Sequence, residues 1–155
     1  MTTLIKKEQF KGKIMEAERV IKSIDGSLGE NPFPLRHSFA DGMYVREIFC
    51  PKGALIVTKI FKQSHATFLL SGECSIATAD GVQRIKAPFV IMTHAGTKRV
   101  VFCHTDVWWA TVHSNPDDTK SLTKIEGRVI AETFDDVPLS ETEQKIIDLA
   151  REVVA

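Results

Sequence analysis

The chain has no excess of charge, few cysteines and no long apolar run. Its 155 residues contain 20 Lys plus Arg and 20 Asp plus Glu, so the formal net charge is zero with neutral His. This balance argues against a broadly basic surface that binds nucleic acid or anionic membranes, although a local basic pocket is still compatible with it. Because no apolar run approaches the roughly 20 residues of a membrane span, the composition indicates a soluble globular protein.

The cysteines and the N-terminus carry no signal for export or for thiol chemistry. Cys50, Cys74 and Cys103 are odd in number and widely spaced, without a Cys-x-x-Cys pair. This pattern predicts buried free thiols and argues against zinc or redox chemistry. The segment MTTLIKKEQFKGK lacks the apolar core and the cleavage site of a signal peptide. We therefore expect a cytoplasmic protein.

The length and the absence of repeats or long linkers predict one domain over residues 1–155. We expect an N-terminal helical arm at about 4–24, a barrel at about 35–115 and a C-terminal helix at about 141–154. The first helix follows from apolar residues at three- and four-residue steps, which are Phe10, Ile14, Ala17, Ile21 and Ile24. It should end at Asp25-Gly26. The last helix follows from a capping box and one apolar face, formed by Ser140, Glu143, Ile146, Leu149, Ala150 and Val153.

The central part of the chain predicts short strands. Turn signals separate eight runs rich in Val, Ile, Phe and Thr, at 43–50, 54–61, 66–71, 74–79, 82–86, 89–93, 99–104 and 107–113. Asp80-Gly81 predicts a type I′ hairpin. Eight strands in series without helices predict an antiparallel sandwich or barrel. A short helix ending at Gly127 should follow His113.

Two segments of the chain carry a family resemblance. Gly53, with His65 seven residues before Gly72, resembles the first cupin motif, and the run HAGTKR from His94 to Arg99 resembles the second. The phrases HSFADGMYVREIFCPKG, APF and AGTKR are similar to those of small cupin-like proteins commonly encoded by bacteriophages. The resemblance covers about half of the chain. It implies an all-β, antiparallel cupin jelly-roll barrel with flanking helices, and the host cytoplasm as the location if the gene is of phage origin.

The metal positions of the motif are mostly occupied by other residues. Aligned on Gly72, they fall on Lys59, Phe61, His65 and Arg99, of which only His65 can bind a transition metal. A stable catalytic metal site needs three or four converging ligands. The resemblance therefore does not extend to the standard metal site or to the chemistry that depends on it.

The same positions predict an anion-binding site instead. Strand alternation places Lys59 and Phe61 on one face, which in cupin geometry points into the barrel together with His65 and Arg99. Since buried cations need negative partners, we predict a small carboxylated or phosphorylated ligand bound by Lys59, His65 and Arg99, with Phe61 and Trp109 as apolar walls. The alternative is that Lys59 and Arg99 extend to the rim and pair with surface carboxylates.

A second hypothesis uses the histidines for a non-standard site for a divalent transition metal. His65, His104 and His113 could converge if their strands adjoin, with His65 and His113 as the preferred ligands and His37 at the entrance. No His-x-His pair or helical i, i+4 pair supports this, and a single histidine is more often a hydrogen-bonded structural residue. The corresponding function is a metal-dependent oxygenase, isomerase or lyase.

A third hypothesis is a structural or interaction protein. Trp108 and Trp109 are neighbours in a strand and must face opposite ways, so one indole should fill the core and the other lie outside. The outer indole either contributes to a homodimer or is covered by a terminal helix of the same chain. The sequence thus leaves three functions open, namely anion binding, metal-dependent catalysis and interaction with a partner.

Overall fold

The computed structural model describes residues 3–24, 26–29, 32–79, 81–138 and 140–154. The chain begins with helix α1 (Thr3–Ser23). Ten strands follow without an intervening helix: β1 (Leu35–Ala40), β2 (Met43–Cys50), β3 (Leu55–Val57), β4 (Ile60–Phe61), β5 (His65–Ser71), β6 (Glu73–Thr78), β7 (Gly81–Lys86), β8 (Phe89–Thr93), β9 (Val100–Cys103) and β10 (Val107–Ser114). The last elements are α2 (Leu122–Val129), β11 (Ile130–Ala131), a 3-10 helix (Phe134–Asp136) and α3 (Glu141–Val154).

The strands form two main antiparallel sheets. One has the order β1-β2-β10-β5-β8 and the other β3-β9-β6-β7, while β4 pairs with β11 separately. From β2 to β10 the chain passes repeatedly from one sheet to the other, which is the connectivity of a jelly roll. The two sheets share one apolar core, to which Cys50, Leu69, Cys74, Ile76, Ile85, Val101, Cys103 and Val107 contribute. The predicted all-β jelly roll with flanking helices is therefore confirmed.

The inner face of the five-stranded sheet changes from apolar to polar along the barrel. Trp109 lies opposite Leu69 and packs against the shared core. Two residues further along β10, Thr111 lies opposite Arg46 on one side and Thr67 on the other. The next inward residue, His113, lies opposite Tyr44. Strand alternation thus collects the polar inward side chains at one end of the barrel.

Helix α2 packs over this polar end. Ile125 and Val129 are buried and form a cluster with Tyr44 of β2. Ser121 caps the helix by accepting a hydrogen bond from the Lys124 amide at 3.4 Å. The predicted end of the helix at Gly127 is wrong by two residues, because the helix continues until Val129 is buried against the strand.

The structure corrects the strand prediction at two places. Residues 54–61 are not one strand, because β3 pairs with β9 and β4 pairs with β11, so the chain leaves one sheet between them. Residues 35–40 form the edge strand β1, which was not among the eight predicted strands. Half-buried and exposed residues alternate along this strand, as expected for a sheet edge with one face towards the barrel.

Some predicted features can be compared only in part. The helix end at Asp25 and the turn residue Asp80 lie outside the described residues, although β6 and β7 do form a hairpin that pairs as far as Thr78 with Gly81. The side chains of the predicted capping residue Glu143 and of the apolar face Ile146, Ala150 and Val153 also lie outside them. None of the described helices has the length and hydropathy that a membrane crossing needs.

Gly72 is the position where a side chain should harm the fold most. Its φ is +89°, and an added Cβ would overlap the backbone oxygen of Asp106. Gly53 has a similar φ of +81° but nothing within 4 Å of an added Cβ. We expect Gly72→Ala to lower the free energy of unfolding by about 2–5 kcal/mol, and the control Gly53→Ala by only about 1–2 kcal/mol. Urea denaturation measures both, and equal losses would contradict the close approach at Gly72.

Candidate functional site

Two buried histidines and a phenylalanine form the centre of the polar end. The ring centroids of His65 and His113 are 4.4 Å apart, and each side chain is about 4% exposed. The Phe61 ring lies 4.4 Å from His65 and 5.3 Å from His113. His65 begins β5 and His113 lies near the end of the adjacent β10, so the antiparallel pairing brings the two imidazoles together.

Tyr44 connects this centre to the edge of the sheet. Its ring stacks on His113 with centroids 5.9 Å apart, and its hydroxyl lies 2.8 Å from Nδ1 of His37. His37 is half-buried on the edge strand β1. The predicted place of His37 at the margin of the site agrees with this geometry, but it reaches the histidine pair only through Tyr44.

Arg99 enters the same end of the barrel from the opposite sheet. Its Nη1 donates a hydrogen bond to Oγ1 of Thr93 at 3.0 Å, and Thr93 Oγ1 is 2.7 Å from Oγ1 of Thr67. Its backbone amide donates to Oγ1 of Thr58 at 2.9 Å. Among the described residues no carboxylate forms an ion pair with Arg99. The alternative that Arg99 extends to the rim and pairs with a surface carboxylate is therefore not supported.

Arg46 is the site residue that the sequence analysis missed. It lies on β2 directly opposite Thr111, with its side chain on the same strand face as Tyr44. Burial lowers the pKa of its guanidinium, and it interacts with other parts of the chain. Its position two residues after Tyr44 was the signal that could have placed it inside the barrel.

Burial and the two arginines keep the histidines neutral. Burial, together with smaller contributions from the neighbouring His65 and Arg46, lowers the pKa of His113 to about 3. Burial also lowers the pKa of His65, to which the charge of Arg99 adds. At neutral pH the site therefore combines guanidinium charges with neutral imidazoles and threonine hydroxyls.

Two predicted site residues are placed elsewhere. His104 follows Cys103, whose side chain points into the core, so alternation turns His104 to the outer face of its sheet. There its Nε2 lies 2.7 Å from Oγ of Ser75. The prediction that His104 joins His65 and His113 is therefore wrong. Trp109 is directed inward as expected, but it packs against the apolar core next to the site.

Lys59 and Trp108 are the two remaining residues for which the sequence predicted a position. Lys59 lies between β3 and β4, where it is half-buried and interacts with another part of the chain. Trp108 faces outward, as the alternation argument requires, and its Nε1 donates to Oε1 of Glu47 at 3.2 Å. The guanidinium of Arg36 lies 5.5 Å from the indole centroid. The outer indole thus has its hydrogen-bond partner within the chain and provides no support for a homodimer. The homodimer stays a prediction.

The residues present do not fit the metal site that the resemblance to the cupin motif implies. Within the described part of the chain no group of three or more His, Cys, Asp and Glu side chains could hold a metal ion. The centre offers two histidines, and Phe61 stands where a third ligand would be needed. Arg99 and Arg46 add positive charge that would repel a cation.

His113 should make the stability depend on pH. Its pKa is about 3 in the folded protein and has the ordinary value of 6.5 in the unfolded chain. Between these values only the unfolded chain binds the proton, so the free energy of unfolding should fall as the pH falls from 6.5 towards 3, by up to about 1.4 kcal/mol per pH unit. Urea denaturation from pH 7 to pH 4 measures this dependence.

The variant His113→Phe separates this contribution from that of acidic groups. It should show a shallower loss of stability over the same pH range than the unchanged protein. The control His94→Gln removes an exposed histidine outside the ring cluster. If His113→Phe and His94→Gln gave the same pH dependence, the buried neutral state of His113 would be disproved.

The poor fit for a metal predicts a low metal content. We expect the tag-free protein to retain well below one transition-metal ion per chain, measured by elemental mass spectrometry, because two histidines beside guanidinium groups do not form a stable site. His65→Ala is the control and should have the same content. About one metal per chain, lost in His65→Ala, would contradict the interpretation.

No family model matches the chain. No curated protein matches it either. Among solved structures, ectoine synthase from P. lautus is similar, with a TM-score of 0.48, 14% identity and coverage of 69% of this chain and 78% of that one. A cupin superfamily protein from Desulfitobacterium hafniense DCB-2 has a TM-score of 0.46 and 13% identity over 61% of this chain and 86% of that one.

A third similar structure is an acetylacetone dioxygenase from Acinetobacter johnsonii, with a TM-score of 0.44 and 14% identity. The match covers 52% of this chain and 58% of that one. Identities this low carry neither the synthase nor the dioxygenase activity over to this chain. The strand order and connectivity of the chain itself are those of an antiparallel jelly roll.

Proposed function

We propose that the polar end of the barrel binds a small anionic ligand through Arg99, and that the protein acts as a small-molecule binding protein. The observation that carries the proposal is the environment of Arg99. Burial lowers the pKa of its guanidinium, and its side chain donates to the neutral hydroxyl of Thr93. A desolvated cation without a carboxylate partner is costly to maintain, and an anionic ligand would supply the missing charge.

The donor pattern of Arg99 defines the chemistry of the ligand. A guanidinium has five N–H donors in a planar fork, and Thr93 receives a hydrogen bond from Nη1. The other donors match the paired oxygens of a carboxylate or a phosphate. We therefore assign the anionic group of the ligand to Arg99, and a carboxylate or phosphate monoester to the ligand class.

The neighbouring side chains supply both polar and apolar contacts. Nδ1 of His65 lies 3.2 Å from the Gln63 carbonyl, and Nε2 of His113 lies 3.0 Å from Oγ1 of Thr111. The other nitrogen of each neutral ring is therefore the one that can hydrogen-bond a ligand. The Phe61 ring provides an apolar surface beside both. Arg46 adds positive potential from the five-stranded sheet, which faces the sheet that carries Arg99. Few polar groups against an apolar wall are typical of small-molecule sites.

The phage origin and the cytoplasmic location implied by the sequence stay predictions, and the proposal does not depend on them. A partner-binding protein without a ligand site would differ from the proposed one in a simple way. Its thermal stability would not respond to small anions, because only a ligand that binds the folded state raises it.

A thermal-shift experiment tests the proposal. We expect inorganic phosphate or succinate, compared with chloride at constant ionic strength, to raise the Tm. A ligand at about 100 times its Kd stabilises by about 2.7 kcal/mol, which corresponds to roughly 5–10 °C for a chain of this size. Arg99→Gln should abolish the response, because the fork that binds the anion is lost.

Arg151→Gln is the matched control, because it removes the same charge from a highly exposed side chain of α3. It should respond to anions as the unchanged protein does. Arg99→Gln is expected to remain folded, since the substitution removes a desolvated charge and keeps a polar side chain. An anion response that survives in Arg99→Gln would contradict the proposal.

A further inference from the structure

The loop between β8 and β9 is tied to the segment that carries the site. The Gly96 amide donates to the Phe61 carbonyl at 2.8 Å, and the Ala95 amide donates to Oγ of Ser64 at 3.1 Å. At the end of this loop, the Arg99 amide donates to Thr58. Any displacement of the loop therefore changes the position of Arg99 relative to Phe61.

Lys98 connects the same loop to helix α1. Its Nζ lies 2.5 Å from Oε2 of Glu18, and the two side chains are only 6% and 22% exposed. The Lys98 Nζ is also 3.9 Å from Sδ of Met15. A buried ion pair of this kind is costly to break from one side, because the remaining charge is left without its partner.

Lys98 and Arg99 reach opposite sides of the barrel wall. Lys98 extends outward to Glu18 of α1, while the next residue, Arg99, extends inward to Thr93. One peptide unit therefore joins the contact with α1 to the proposed anion-binding group. This arrangement allows a change on the outside of the barrel to be transmitted to the inside through covalent geometry.

Few of the described side chains of helix α1 are fully buried. Ile14 is buried, and Nζ of Lys11 lies 5.3 Å from the ring centroid of Phe134. Val20 of the helix and Ile24, just after its end, remain 44% and 56% exposed. Elements with few buried apolar contacts open at low free energy, so the Lys98 to Glu18 pair carries a large share of the docking of α1.

We propose that docking of α1 through the Glu18 to Lys98 ion pair positions the Arg99 guanidinium and thereby controls anion binding inside the barrel. This inference rests on the proposed function of the site. Because coupling between two equilibria is reciprocal, an anion bound at Arg99 also strengthens the docking of α1. Glu18 and Lys98 are thus positioning residues, and neither contacts the ligand.

The test compares Glu18→Gln with Glu16→Gln. Both remove one negative charge from the same helix, but Glu16 is exposed and pairs with Arg19 of α1 itself. Hydrogen exchange of the α1 amides reports docking, and titration with inorganic phosphate reports affinity. We expect Glu18→Gln to lose protection in α1 and to bind phosphate at least fivefold more weakly, the lower range of typical coupling, and Glu16→Gln to change neither.

The imidazole resonances of His65 provide a measurement that needs no ligand. Arg99 lowers the pKa of His65, so the pKa of His65 should rise when Arg99 moves away from it. Loss of the Glu18 charge alone would lower the pKa of His65, because removing a nearby negative charge disfavours protonation of the imidazole. An upward shift of the His65 titration in Glu18→Gln therefore identifies movement of Arg99. Lys98→Met should reproduce the loss of α1 protection from the other side of the pair.

Two results would overturn the inference. One is retention of α1 protection in both Glu18→Gln and Lys98→Met, and the other is loss of protection without an upward shift of His65. If His65 shifts as expected but neither phosphate nor succinate binds any variant or the unchanged protein, the coupling stands and the proposed function fails. The two proposals can therefore be judged separately.

Discussion

The burial of positive charge inside one end of the barrel is the constraint on which the site depends. Both sheets direct side chains inward, and at the apolar end these side chains form a continuous core. At the other end Arg46 and Arg99 enter from opposite sheets, and their charge helps to keep His65 and His113 neutral. Neutral imidazoles avoid adding further positive charge to a region that is already desolvated.

This arrangement has a cost in stability that a structural role alone does not explain. An apolar residue at position 99 would avoid desolvating a cation, and buried ions are often replaceable by hydrophobic residues at no loss. Sites that bind ligands commonly accept such a cost, because the groups that receive the ligand must be in place before it arrives. The cost of desolvating Arg99 is therefore the reason for proposing a binding role.

The loop that carries Arg99 also shows how the periphery of the fold can affect its interior. Lys98 and Arg99 are consecutive, yet one contacts a helix outside the barrel and the other a threonine inside it. In a closed sheet structure, adjacent residues of an extended segment lie on opposite sides of the wall. The N-terminal helix is therefore connected to the candidate site, although the sequence analysis treated it only as a flanking arm.

Local sequence patterns determined much of this protein. Period-two alternation and turn residues predicted a β-rich barrel, spacing of apolar residues predicted α1 and α3, and parity alone predicted that Trp108 and Trp109 face opposite ways. The motif positions also directed attention to Phe61, His65 and Arg99, which the fold brings to one end of the barrel. These features depend on neighbours in sequence, so they can be read without the structure.

Only the tertiary structure decided which strands adjoin and therefore which side chains meet. His65 and His113 come together because β5 and β10 are neighbours, whereas His104 is turned outward on the other sheet. Arg46 joins the site because β2 pairs with β10 along the edge of β10 that faces away from β5. Strand order in an antiparallel barrel is set by long-range pairing and shared core packing, which a local pattern does not specify.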